Sequence, residues 1–459
     1  MTDPLDDLRA LLGAAHVLTG TDVARFARDW TGKWRAAPLA VVRPASTAEV
    51  ADCVRLAARH GLAVVPVGGN TGLVGGTANE GALMVSLERM NRVREIRADS
   101  RVAVVEAGVV LSDLHDAAEA ERLIFPLTFG ARGSARVGGF LATNAGGSNV
   151  VRYGSTRGLC LGLEVVMADG RVLDLMSELH KDNSGLDLRD LFIGAEGTLG
   201  LITAAVLKLA PLPRHRATAL ANVSGLDAAL GLLHRLQAAS DGAVEAFEYM
   251  PRSYRRALAA HRPDLEPPLE AADHAVMIEL GGLSRPLGDA LEAALGEALE
   301  AGEVLDAVVA QSEAQRRRIW EMREAAAEIT FTRLPIVDSD VALPLDRVGA
   351  FLGEMRARLD QMDPGAEDLV VAHLGDGNVH LTLYPTRDDE AHLDGLREMV
   401  EDEVVRLGGS ISAEHGVGLA KLSTMRRRKD PVALDVMRAV KRALDPEGRM
   451  NPGKVIPEE

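Results

Sequence analysis

Pro66-Val67-Gly68-Gly69-Asn70-Thr71-Gly72-Leu73-Val74-Gly75-Gly76 is the stretch on which the fold turns. Residues 62–67 form a short apolar run with three valines that breaks directly into it, the pattern of a strand ending in a loop. Upstream, residues 46–61 open on a capping box, Ser46 with Glu49. They carry Val50, Cys53, Val54 and Ala57 at helical spacing and stop at glycine. Helix, strand and glycine loop in that order predict an α/β nucleotide site. Backbone N–H groups free of side chains can hold a pyrophosphate without many positive charges.

Two further glycine clusters follow. A strand over 102–106 and a helix over 111–122 lead into residues 130–158, centred on Val137-Gly138-Gly139-Phe140-Leu141-Ala142-Thr143-Asn144-Ala145-Gly146-Gly147. The third, Gly194-Ala195-Glu196-Gly197-Thr198-Leu199-Gly200, precedes the apolar run 201–209, after which Pro211 and Pro213 punctuate the chain. Neither GxGxxG nor GxxxxGK[ST] occurs, so a dinucleotide-fold NAD site and a P-loop lack their usual signal. Each cluster taken singly reads as a set of turns. Beyond 213, alanine- and leucine-rich helices near 226–239, 287–301 and 310–329 alternate with strands such as 275–280 and 369–374, as in a separate α+β domain. From 420 onward the pattern gives one helix, 431–444, and the tail Asn451-Pro452-Gly453-Lys454, expected to fold back on the first domain. The division is thus 1–213, 214–419 and 420–459.

Composition narrows the partners. The chain has 459 residues, 47% of them hydrophobic, which is too long for one ordinary core and too apolar for disorder. Its net charge of -16 argues against nucleic acid, whose binding needs a basic face. The two cysteines, Cys53 and Cys160, sit in apolar runs and cannot ligate a four-thiolate cluster, so onward electron relay must lie on another polypeptide. The acidic opening Met1-Thr2-Asp3-Pro4-Leu5-Asp6-Asp7 suits neither a signal peptide nor a presequence, and no apolar run reaches the ~20 residues of a membrane span. A cytoplasmic location is expected.

The densest chemistry lies in Val371-Ala372-His373-Leu374-Gly375-Asp376-Gly377-Asn378-Val379-His380-Leu381-Thr382. Asp376-Gly377 is a hairpin signal, and a two-residue turn there puts His373 directly across from His380 with Cβ atoms ~5 Å apart. That suits two ligands of one ion, although a polar cross-strand pair has the same pattern. A carboxylate comes from Ile411-Ser412-Ala413-Glu414-His415-Gly416-Val417-Gly418. Neighbouring side chains of an extended chain point to opposite sides, which divides Glu414 and His415 into ligand and base. His373, His380 and Glu414 then form a two-histidine, one-carboxylate set with open positions, as in a catalytic divalent site.

These motifs resemble the vanillyl-alcohol-oxidase/p-cresol-methylhydroxylase (PCMH) type of FAD-binding fold and, within it, the FAD-linked D-2-hydroxy acid dehydrogenases acting on D-2-hydroxyglutarate and D-lactate. The resemblance spans nearly the whole chain. It implies an α+β protein: a PCMH-type FAD-binding domain of two α/β subdomains, then an α+β FAD-linked oxidase C-terminal domain for substrate. It assigns Pro66, Gly68, Gly69, Asn70, Thr71, Gly72, Leu73, Gly75 and Gly76 to the pyrophosphate loop. Gly138, Gly139, Thr143, Asn144, Gly146 and Gly147 fall to a flavin-side loop; Glu196, Gly197, Gly200 and Ile202 to an adenine-side segment; and Asn451 completes the set. None of these loops contains histidine, so FAD is expected to be non-covalent. The resemblance also implies a divalent ion, zinc or else manganese, that chelates the substrate's carboxylate and hydroxyl and lowers the hydroxyl pKa. His415 takes the proton while the C2 hydride passes to flavin N5. Electrons would leave to an electron-transfer flavoprotein or quinone, and a homodimer is compatible with the family.

Arg323, in Trp320-Glu321-Met322-Arg323-Glu324, reads on its own as a surface ion pair. The resemblance gives it the substrate carboxylate and places Asp338, Asn378 and Thr382 around the substrate. The hydroxyglutarate enzymes typically carry threonine where Ala327 stands, lysine where Asp338 stands and often asparagine where Thr382 stands. Alanine removes a hydrogen bond and aspartate reverses a charge, so a second substrate carboxylate is less welcome and a monocarboxylic acid such as D-lactate gains. With Asp338 turned to solvent that argument lapses. Competing readings are an oxidase using oxygen, a metal-dependent hydrolase or lyase whose glycine loops are only turns, and a silent flavin-binding subunit.

Overall fold

The computed structural model describes residues 3–265, 267–270 and 272–458. Ser46 Oγ accepts from Glu49 N and Glu49 Oε2 accepts from Ala45 N, which starts the helix Thr47–Arg59 and turns Val50, Cys53, Val54 and Ala57 inward. The strand Val64–Val67 follows, parallel to Leu83–Ser86 at the edge of a four-stranded sheet completed by Ala40–Val42 and Val17–Leu18. A second, antiparallel sheet has the order Val93–Arg97, Val102–Glu106, Leu201–Lys208, Cys160–Val166, Val172–Leu175. One apolar core containing Val50, Leu83, Val105, Leu163 and Leu207 unites the two sheets.

The glycine clusters, remote in sequence, meet between these sheets. A methyl on Gly68 would stand 3.4 Å from Gly139 Cα, one on Gly138 2.9 Å from Ala107 Cβ, and one on Gly197 2.3 Å from Pro66 Cγ. Their small size is what lets three backbone segments close on one another.

A seven-stranded antiparallel sheet forms the second half, in the order Val304–Val309, His215–Val223, His274–Gly282, Val244–Tyr249, Glu367–His373, Asn378–Tyr384, Val337–Ala342. The helices Leu226–Ala239, Gly288–Glu300, Val348–Met362 and Glu390–Arg406 bury their apolar residues against one face. The opposite face carries a smaller apolar cluster beneath Glu313–Glu324, built on Leu220, Met277, Ile319 and Met322, and the site residues described below. The halves are joined by Arg152 and Tyr153 on Glu245, by Arg132 on Glu324 at 2.8 Å, and by the edge-to-face pair Trp30–Phe331.

Two elements differ from the periodicity. The single helix expected over 310–329 is two, Glu313–Glu324 and Ala326–Thr330. Ser312 Oγ caps the first at Gln315 N, and Ala325 N closes it on the carbonyls of Glu321 and Arg323. After 420 there are two helices, Leu422–Arg428 and Pro431–Leu444, because Asp430 caps a new start at Ala433 N with Pro431 in the first turn. The tail returns to the first sheet: Val64 N donates to Arg449 O and Asn451 N to Val64 O, each at 2.8 Å. Among the described residues, no helix is long and apolar enough to cross a membrane.

Candidate active site

The hairpin is wider than Asp376-Gly377 implies. His373 pairs with Asn378, and His380 with Val371, because Gly375 N docks on Phe247 O of the adjacent strand and residues 374–377 all enter the loop. A slip of two residues preserves the face on which each side chain lies. His373 and His380 are therefore diagonal neighbours instead of opposite partners, with ring centroids 5.4 Å apart and planes near perpendicular.

Residues 411–418 are likewise not an extended strand but a loop entered from the isolated bridge Ala342–Ser410. Its irregular backbone brings Glu414 and His415 to the same site rather than to opposite sides. Glu414 Oε1 lies 3.8 Å from His373 Nε2, and the His415 ring stacks on His380 at 5.7 Å. One oxygen of buried Asp340, Oδ2, accepts from both Glu414 N, at 2.9 Å, and His415 N, at 2.8 Å. The Nδ1 atoms of His380 and His415 each stand 3.8 Å from an Asp340 oxygen, and Lys421 Nζ 3.9 Å. Burial opposes ionisation of Asp340, but His415, Lys421, His380 and the backbone donor hold its carboxyl far below the ordinary range.

Glu248 does the same for the other side. Its Oε1 meets His373 Nδ1 and its Oε2 accepts from Arg323 Nε, both at 2.8 Å. Burial would raise its pKa, yet the charges of His373 and Arg323 hold it at about 2. His373 responds in kind: burial lowers it, Glu248 and Glu414 outweigh burial, and it rises to about 9. His380 goes the other way, driven well below its ordinary value by burial, with Asp340 opposing and His373, His415 and Arg323 adding to it. With Nδ1 of His373 engaged, its Nε2 is left to face His380, Glu414 and Arg323 Nη2, the last at 3.5 Å. His373, His380 and Glu414 each offer a ligand atom within 4.8 Å of the others, and Asp340, His380 and His415 form a second such group. Asp340 already accepts from Asn378 Nδ2 and two backbone amides, so the first set is the better donor group and Asp340 an orienting acceptor.

The flanking residues fall in register. Asp338 pairs with Thr382 and Asp340 with His380 across neighbouring strands. Thr382 Oγ1 donates to Asp338 Oδ1 at 2.7 Å, and Asp338 is otherwise exposed. Asn378 spends Nδ2 on Asp340 and Val341 O, while its buried Oδ1 has no partner. Ala327 is exposed, one turn beyond Arg323. What joins this cluster to the other half is Gly146, where a methyl would stand 2.7 Å from Glu414 Oε1.

Sequence comparison then fixes the family. Residues 38–176 match the model described as FAD binding domain, and 212–455 that described as FAD linked oxidases, C-terminal domain. The chain belongs to the FAD-linked oxidases. It is a flavin-linked oxidoreductase of α+β architecture with a PCMH-type FAD-binding domain. It is 36% identical to the D-2-hydroxyglutarate dehydrogenase of Stutzerimonas stutzeri, over 99% of this chain and all of that protein. It is 39% identical to the mitochondrial D-2-hydroxyglutarate dehydrogenase of Bos taurus, over 94% of this chain and 79% of that one. Its fold matches p-cresol methylhydroxylase with a TM-score of 0.78 at 16% identity, covering 99% of this chain and 96% of that one, and an alkyldihydroxyacetonephosphate synthase at 0.73 with 16% identity, covering 98% and 86%.

The residues of this FAD-linked oxidase suit the cofactor. A cleft of about 650 Å³ runs past Gly68, Gly69, Asn70, Gly133 and Ser134, with Arg25, Arg28 and Arg136 beside it and Arg25 paired with Glu88 on the same wall. Asn451 Oδ1 is buried without a partner next to the loops. Several side chains named from the sequence are already occupied. Asn70 braces the Arg28 carbonyl and Thr77, Thr143 back-bonds within its helix, Asn144 holds Arg157 N, and Glu196 reaches residues 417 and 418. From these segments the cofactor is offered mainly backbone. The sequence reading missed the three arginines, Glu248, Asp340 and Lys421. Local pattern does not single out these acids, since Val244–Tyr249 carries Glu245 as well as Glu248 and Val337–Ala342 carries Asp338 as well as Asp340.

Proposed function

We propose that this flavoprotein oxidises a D-2-hydroxy acid to the 2-oxo acid, with a divalent ion, zinc or manganese, held by His373, His380 and Glu414, and His415 as base. The contact of Glu414 with Gly146 carries this reading, since it sets the donor cluster against the loop assigned to the flavin. The names of the relatives supply the substrate class. Bound FAD supplies a two-electron acceptor for the C2 hydrogen, and a dication at this donor set supplies charge that makes a nearby hydroxyl more acidic. Arg323 Nη2, held by the bond from Nε to Glu248, binds the substrate carboxylate. Asp340 faces Nδ1 of His415, which leaves Nε2 to accept the hydroxyl proton. Asn378 Oδ1 is an unused acceptor at the same place. Both cysteines are buried, with thiols pushed up to about 12 by burial, and we place onward electron transfer on a separate protein or quinone acceptor.

Asp338 and Thr382 lie two strand positions beyond Asp340 and His380, roughly 7 Å at ~3.3 Å per residue. We place the far end of a five-carbon substrate on that row. Asp338, although exposed, is held on that row by Thr382, so a carboxylate there meets it and D-2-hydroxyglutarate is expected to reduce the flavin less efficiently than an uncharged D-2-hydroxy acid of similar length. Asp338→Lys is expected to raise kcat/KM for D-2-hydroxyglutarate about 10-fold or more, the worth of one charge-assisted hydrogen bond. Single-turnover flavin reduction across D- and L-2-hydroxy acids tests both statements. Reduction by L-acids alone, or an unchanged preference in Asp338→Lys, contradicts the proposal at its respective point.

A further inference from the structure

The loop bearing Glu414 and His415 is gripped by two carboxylates from different halves of the molecule. Asp340, on the seven-stranded sheet, holds the amides of residues 414 and 415. Glu196, in the third glycine cluster, holds the next pair: Oε1 accepts from Val417 N at 2.7 Å and Oε2 from Gly418 N at 3.0 Å. Only Gly416 separates the two grips. Glu196 is 8% exposed and is itself fixed, with a left-handed φ of 48° and its N–H on Ala142 O. Its carbonyl accepts from Asn451 Nδ2, which also donates to Gly76 O.

The fit leaves no slack. A methyl on Gly416 would stand 2.6 Å from Glu196 Oε1, and one on Gly418 2.3 Å from Val74 O, which already accepts from Leu419 N. Both glycines also have positive φ, 81° and 48°, so the turn demands them twice over. Burial pushes the Glu196 pKa above the ordinary value, against the amides of Val417 and Gly418 and the charges of Lys421 and Lys454. Both oxygens of this buried carboxylate are thus committed to the backbone of the loop.

We propose that Glu196 is a positioning residue of the reaction: it sets the Glu414–His415 loop against the flavin-binding half through the amides of Val417 and Gly418. The sequence resemblance assigned this residue to the adenine side of FAD, and the geometry gives its side chain different work. The inference rests on Glu414 and His415 being ligand and base. A shift of about 1 Å in reacting groups can cost on the order of 10²-fold in rate. Releasing one of the two amides therefore affects chemistry without emptying the cofactor site.

Glu196→Gln tests this, because it keeps the shape and one acceptor but turns an NH2 toward the second amide. The variant is expected to retain FAD absorbance, melting temperature and the rate of flavin reduction by dithionite, while reduction by a D-2-hydroxy acid slows about 10- to 100-fold. The loss should lie in kcat more than in KM, since Arg323 is untouched. The visible spectrum of protein loaded with Co²⁺ should also change, reporting a displaced Glu414. Glu196→Asp, with both acceptor oxygens, should recover part of the rate. Wild-type reduction in Glu196→Gln overturns the proposal, and so does loss of FAD from it, which would return Glu196 to cofactor binding. Failure of the wild-type protein to reduce its flavin with any 2-hydroxy acid overturns the proposed function instead.

Discussion

Replacing His415 by alanine is expected to slow flavin reduction by a D-2-hydroxy acid by roughly 10²- to 10⁴-fold while FAD and divalent ion stay bound. The separation follows from geometry. His415 stacks on His380 at 5.7 Å but is not needed in the set of His373, His380 and Glu414, whose ligand atoms lie within 4.8 Å of one another. Its amide and Nδ1 face Asp340, and the proposed function assigns the ring the base rather than a ligand position. Stopped-flow flavin bleaching beside metal analysis reads both halves of the expectation. A variant that reduces its flavin at the wild-type rate removes His415 as base, and one that loses its ion makes it a ligand.

Glu248→Ala should be as damaging by another route. Glu248 is fully buried between His373 and Arg323, and removing one partner of a buried charged group costs about 3–5 kcal/mol. The same change frees Nδ1 of His373, for which roughly 10- to 100-fold weaker ion binding is expected. Urea unfolding and metal titration measure the two effects. A pH dependence accompanies them. Glu248 ionises at about 2 when folded, against 4.5 in the reference state. Its stabilisation is complete above 4.5 and is lost as pH falls toward 2. The variant should lack that part of the acid transition.

Local pattern carried a good deal of this architecture. Leu226–Ala239 and Pro431–Leu444 begin and end at the residues that helical spacing marks, and Val102–Glu106 at those of its apolar run. The glycine clusters announced close backbone approach, and Gly68 against Gly139 and Gly197 against Pro66 supply it. Register was harder to read. Asp376-Gly377 describes a two-residue turn by itself, but Gly375 answers to Phe247, a residue 128 positions earlier by subtraction, and the loop opens to four. Glu414 and His415 were expected to diverge because an extended chain was assumed, whereas Asp340 folds the backbone around one oxygen. Glu248 and Asp340 owe their roles to strand neighbours distant in sequence, Glu248 beside His373 and Asp340 beside His380, and no local spacing encodes such pairings.

The central claim, that flavin and a divalent ion act together on a D-2-hydroxy acid, is tested most directly by anaerobic single-turnover flavin reduction before and after chelation. Protein that retains its FAD absorbance should bleach rapidly with a D-2-hydroxy acid, stop bleaching once the ion is removed, and recover when zinc or manganese is restored. Bleaching that persists unchanged in ion-free protein would contradict the account.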